Sequence, residues 1–276
     1  MDKDSTTLPV WHINHDNYKL WDYVDAHLTD LGWRQATKLG RHVASERLPV
    51  DLVVVAPLQR ALETAVAAFG NHEPQPEPLG PGSTADGVNG AAAVAAAAPS
   101  PPLLMVAQTA EPGKRAAHPA ISSRGCPPFL AHELCREHLG VHPCDRRSKV
   151  SEYMQRFPAI DFSLVQPDED VLWQPDHREA KDEIRRRGLA FLKWLATRPE
   201  RNIAVVSHSS FLHFTLSCFA HAAAPAVQAE LHKWYDNCEM RSVILTDDSM
   251  DGAAAAAAHG PDPWHFPGGA HVGEGA

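Results

Sequence analysis

Two short apolar runs limit what this chain can fold into. Leu52-Val53-Val54-Val55 and Ile203-Ala204-Val205-Val206 are unbroken and mostly β-branched, and each runs straight into a turn that opens a helix. Continuous rather than alternating hydrophobicity fits strands covered on both faces, as in a parallel sheet. Helical stretches lie between and around these runs. Thr29 is placed to cap a helix through Val43, with Asp30 in its first turn and Leu31, Ala36, Leu39 and Val43 at helical spacing. Leu58 to Phe69 reads as a helix stopped by Gly70. Glu179 to Thr197 reads as a longer amphipathic helix, with Ile184, Phe191, Leu192 and Leu195 inward and Pro199 beyond its end. Met240 to Thr246 reads as a last strand. This alternation predicts an α/β fold, three layers α/β/α around a mostly parallel central sheet.

With 276 residues, 44% of them hydrophobic, the chain has material for one sizeable core. Gly70 to Pro102 and Asp251 to Ala276 are rich in Ala, Pro and Gly, with few large apolar side chains, and are expected to be disordered. The expected organisation is therefore one domain over 1–250, interrupted by an insert at about 70–102, with a tail over 251–276. The formal net charge of -9 argues against a nucleic-acid partner, and short basic pairs such as Arg146-Arg147 do not reverse it. Five Cys without regular pairing suggest reduced thiols. No apolar run is long enough for a membrane helix, so no membrane partner and a cytoplasmic location are expected. Oligomeric state is not legible.

Both apolar runs end in turns with side chains suited to anion chemistry. His208 follows Val206-Ser207 at the opening of a helix, where free N–H groups attract anions. Arg60 lies in the first turn of the helix after Val55 and carries a fork suited to phosphate. If the two strands are parallel neighbours, Arg60 and His208 face one crevice at the carboxyl ends of the strands.

Three blocks, LTDLGWRQATKLGRHV, DLVVVAPLQRALETA and VVSHSSFLH, stand in the order found in the histidine phosphatase superfamily, also called phosphoglycerate-mutase-like, and the chain resembles it. PPFLAHELCREHLGVHPCDRRSKVSEYMQRFPAIDFS and DVLWQPDHREAKDEIRRRGLAFLKWLATR are similar to its plant and algal phosphoglycerate-mutase-like subgroup. The resemblance implies phosphoryl transfer through a phosphohistidine on a small phosphorylated substrate, with no metal or organic cofactor. It implies that Arg60 and His208 clamp the phosphate. Glu137 in LCREHLG matches the acid that protonates the leaving oxygen, and Glu133 is the competing choice. Hydrolysis is favoured over mutase activity, because the segment around Glu137 does not resemble the true mutases.

The family's nucleophile stands in an Arg-His-Gly motif near the N-terminus, and here the pattern breaks. Either His12 is the nucleophile, with Trp11 in place of Arg and Ile13 in place of Gly, or His12 to Asn14 belongs to the segment after the motif and the motif itself is missing. Trp11 has no guanidinium fork, and Ile13 places a branched side chain where Gly lets the backbone approach. A non-catalytic phospholigand-binding protein is therefore the second reading, with Arg60, His208 and the Arg136, Arg146 and Arg147 group attracting the anion. A zinc module built from Cys126, His132, Cys135, His138, His142 and Cys144 is a third, although no Cys-x-x-Cys pair supports it. Elsewhere the plainer readings are preferred. Trp21, Trp33 and Trp194 read as core or half-core aromatics, and Asp22 and Asp25 as solvated carboxylates. Ser207 and Ser209 read as helix caps, and His213 as a packed side chain.

Overall fold

The structure, a computed structural model, describes residues 19–72, 101–222 and 224–245. His12, the central part of the expected insert and the expected tail lie outside the described residues. The chain divides into Met1–Glu239 and Met240–Ala276, before the boundary at residue 250 expected from composition.

In the first unit, α1 (Asp30–Ser45) begins where the capping signal placed it, and Thr29 Oγ1 accepts from Gly32 N at 3.1 Å. β1 (Leu52–Val55) is buried along its whole length and feeds α2 (Gln59–Phe69). A small antiparallel pair comes after it, β2 (Leu103–Met105) with β3 (Ile121–Ser122). Next come β4 (Phe129–His132), α3 (Val150–Arg156) and β5 (Ile160–Leu164). Then come α4 (Lys181–Ala196), β6 (Ile203–Val206), α5 (Ser209–Leu216) and α6 (Pro225–Leu231).

The main sheet has four strands in the order β5-β4-β1-β6, and every pairing in it is parallel. The chain winds from β1 outward through β4 to β5, then crosses back to β6 on the far side of β1. Right-handed crossovers with that reversal put α2 and α4 on opposite faces. Accordingly α1 packs on α2 and α5 packs on α4. The core lies along β1 and β4, with Trp33, Ala36, Leu62, Val66, Ile184, Phe191 and Phe211 closing on it.

Several details differ from the sequence reading. β6 is only half-buried, because among the described residues it pairs with β1 alone. Met240 to Leu245 forms no strand; its β-branched residues have no strand partner among the described residues. Asn71, inside the expected insert, exchanges backbone hydrogen bonds with Ser122. Trp33 is buried, but Trp21 is 59% exposed. Gly188 lets α4 pack tightly on α5: a Cβ there would stand 2.1 Å from Thr215 Oγ1, so a side chain at this position collides with Thr215.

Candidate active site

The strand order has one topological switch point, between β1 and β6, and ligands in open α/β sheets bind outside the carboxyl ends of strands at such a point. Val55 pairs with Val206, so the turns after β1 and β6 leave the sheet side by side. Arg60 sits on one of these turns and His208 on the other; both are buried.

His208 is the N-cap of α5 and makes no side-chain cap hydrogen bond. Its Nε2 is buried with no hydrogen-bond partner among the described residues. Burial pushes its pKa well below the usual histidine value, and the positive charges of Arg60, Arg136 and Arg187 push it further. The ring is therefore neutral at physiological pH, with one unspent polar atom at the strand end. Ser207 does not cap this helix; its Oγ donates to Cys135 O at 2.6 Å, tying the β6 turn to the segment after β4.

Arg60 is turned towards a short 3-10 helix, Pro143–Asp145. Its Nη1 donates to Cys144 O at 2.7 Å and its Nη2 to Asp145 Oδ1 at 3.0 Å. Asp145 Oδ2 accepts from Arg178 Nη1 at 2.9 Å, so one carboxylate stands between two guanidinium groups. The Glu137 carboxyl lies among these three charges. Burial raises its pKa and the Asp145 carboxylate adds to the rise, while Arg60 and Arg178 oppose it.

The two candidate acids are distinguished by their surroundings. Glu133 is taken up by structure: Oε2 accepts from Arg136 and Oε1 from Arg147 Nε. Arg136 is fully buried, with its fork on Asp170, and Arg147 donates to four backbone carbonyls as well as to Glu133. These two cations are therefore internal ties, which corrects their reading as attractors of an anion. Arg146 lies over the rings of Trp21 and Trp173 at 6.0 and 5.6 Å.

Asp25 is also not a solvated carboxylate. It is buried, with a φ of 45°; Oδ1 accepts from Gln59 N at 2.7 Å and Oδ2 from Tyr153 Oη at 2.6 Å and Ser148 N at 3.1 Å. It thus pins the first turn of α2, one residue before Arg60, to the segment just beyond Asp145. Asp25, Asp145 and Arg178 have no local sequence signal, since their partners are brought in from distant segments. His213 is packed as expected, stacked on Trp234 at 4.2 Å between ring centres. The residues read as a zinc set form no such cluster: among the described residues no three His, Cys, Asp or Glu side chains are grouped to hold a metal ion. Among the same residues no helix is long and apolar enough to cross a membrane.

The sequence profile of the histidine phosphatase superfamily (branch 1) matches residues 12–79. A phosphoglycerate mutase-like protein of Arabidopsis thaliana is 44% identical over 245 residues, which span 88% of this chain and 81% of the relative. Phosphoglycerate mutase-like protein 2 of the same plant is 42% identical over 267 residues, covering 87% of this chain and 71% of the relative. Phosphoglycerate mutase-like protein 1 is 41% identical over 250 residues, covering 90% and 80%. No solved structure matches.

Proposed function

The chain belongs to the histidine phosphatase superfamily, within its phosphoglycerate mutase-like proteins, and from that premise we propose that it hydrolyses a small phosphorylated metabolite through a phosphohistidine. The observation that carries this reading is the environment of Glu137. A carboxyl whose pKa is raised by burial and by the neighbouring Asp145 carboxylate, close to two guanidinium groups, is equipped to give its proton to a leaving alkoxide. In this reading His12 attacks phosphorus, the ester P–O bond breaks, and the alcohol leaves with the Glu137 proton. Water then attacks the phosphohistidine and gives its proton back to Glu137, releasing inorganic phosphate and free His12. Arg60 supplies positive charge to the transferring group, and neutral His208 supplies a hydrogen bond through Nε2.

The phosphoenzyme is the most direct test. Rapid quench of the full chain with a labelled phosphomonoester is expected to trap an acid-labile, base-stable phosphate that His12→Ala lacks. A trapped phosphate that persists in His12→Ala removes His12 as nucleophile. The Trp11-His12-Ile13 setting supports a second reading, a phospholigand-binding protein without turnover. That reading expects thermal stabilisation by inorganic phosphate and no trapped phosphate.

The role of Glu137 has its own signature. Because the group must be protonated to act and its pKa is raised, the rate is expected to hold through the ordinary carboxylate range and fall on the alkaline side. Glu137→Gln removes that alkaline limb and lowers kcat by roughly 10²–10³-fold. A limb that survives the substitution assigns the acid elsewhere.

A further inference from the structure

Counting donors at the site separates its two cations. Arg60 has both Nη atoms committed within the protein, to Cys144 O and Asp145 Oδ1. Arg178 is held differently. Its Nη1 alone anchors it, to His138 O at 2.9 Å, Gly140 O at 2.6 Å and Asp145 Oδ2 at 2.9 Å. Among the described residues its Nε and Nη2 donate to nothing. The side chain is 27% exposed, against 10% for Arg60. A guanidinium carries five N–H groups in a rigid fork, so anchoring one nitrogen fixes the orientation of the rest. The anchor is itself rigid. Gly140 has φ +81°, and Arg178 is followed by Glu179, whose Oε1 and Oε2 accept from Arg187 at 2.8 and 2.7 Å.

The remaining geometry places Arg178 beside the proposed acid. Arg178 and Arg60 hold opposite oxygens of Asp145, and both act on the Glu137 carboxyl. An oxyanion that approaches Glu137 and Arg60 therefore also meets Arg178, the member of the group with donors to give. We propose that Arg178 is a phosphoryl-binding residue of this site, donating through Nε and Nη2 to the phosphate oxygens while Nη1 keeps the side chain aimed. This rests on the phosphate-ester reading above, and it adds a second guanidinium to the one provided by Arg60. The ligand it serves is a tetrahedral oxyanion: inorganic phosphate, or the phosphoryl group of a monoester.

Calorimetric titration of the full chain with inorganic phosphate tests this without requiring turnover. Arg178→Gln is expected to weaken phosphate binding tenfold or more, the effect of losing charge-assisted bonds. Arg178→Lys is expected to recover part of that loss, since it keeps the charge but not the fork. With 4-nitrophenyl phosphate as substrate, the loss appears mainly in KM, with a matching rise in the inhibition constant of phosphate. The alkaline limb set by Glu137 moves upward, because Arg178 is one of the charges holding that pKa down. A purely structural role predicts a lower active fraction with KM and limb unmoved, and that result overturns the proposal. So does phosphate affinity unchanged in Arg178→Gln. If the wild-type chain binds phosphate but never turns over, the hydrolytic reading falls and the role of Arg178 stands. If the wild-type chain binds no phosphate, both fall.

Discussion

Arg136→Leu is expected to lower stability by about 3–5 kcal/mol, the usual cost of removing one partner from a buried ion pair. The reason lies in what the substitution leaves behind. Arg136 is completely buried; Nη1 and Nη2 reach Asp170 Oδ1 and Oδ2 at 2.9 and 2.6 Å, and Nη2 also reaches Asp145 O at 2.8 Å. Burial alone would raise the Asp170 pKa, but the Arg136 fork holds it below the ordinary carboxylate value. Without Arg136 a buried carboxylate remains with no guanidinium on it, and it must take up a proton or draw in water. This fixes the sign of the pH dependence. A depressed folded pKa stabilises above the unfolded value of 3.8, and that contribution disappears as pH falls through the folded value. The gap between wild type and variant is therefore widest at neutral pH and narrows below about pH 4. Urea midpoints at pH 7 and at about pH 3 measure it, and equal gaps at both would refute the assignment.

His208→Ala is expected to show the opposite balance. Hydrolysis falls by roughly 10²–10³-fold, the effect of losing one donor aimed at a charged transition state. Stability changes little by comparison, because Nε2 has no hydrogen-bond partner among the described residues and removing it orphans nothing. What the fold loses is packing around one ring. The His208 pKa, pushed down first by burial and then by Arg60, Arg136 and Arg187, turns the expected stability change favourable at low pH. A neutral buried histidine stabilises above the unfolded value of 6.5 and withdraws that support as pH falls, so the alanine variant lacks the acid sensitivity. Steady-state rates alongside thermal melts at pH 5 and pH 7 separate the two effects. A variant that loses stability and keeps its rate would make His208 a packing residue.

The fold was legible where the signal is local. Leu52 to Val55 could hardly be anything but an enclosed strand, and Thr29 could cap only a helix running on through Trp33 and Ala36. β4 and β5 carry little pattern of their own; Phe129 to His132 even ends on a buried histidine with its ring tilted against Trp194. The placement of Arg60 and His208 after neighbouring strands was legible for the same reason as the strands themselves. Asp25 was misread because nothing next to it in the chain explains it. Its acceptors are filled by Gln59, 34 residues away, and by Tyr153, 128 residues away. Arg136 and Arg147 were misread for a related reason: arginines close together in the chain look like a surface for anions until the carboxylates of Glu133 and Asp170 are folded against them.

Asp25 leaves the two helix ends at the crevice unequal. Each begins just after a strand, and each would by itself offer a positive pole to an incoming anion. The end of α2 is already occupied, since a carboxylate of the protein's own has taken its first amide. That amide is therefore spent within the protein and is not available to an anion. The end of α5 has no side chain of its N-cap across it. In the proposed reading, an anion between the turns would therefore be drawn towards the α5 end. The orientation of a bound anion would then be set by Asp25, a residue that never touches it.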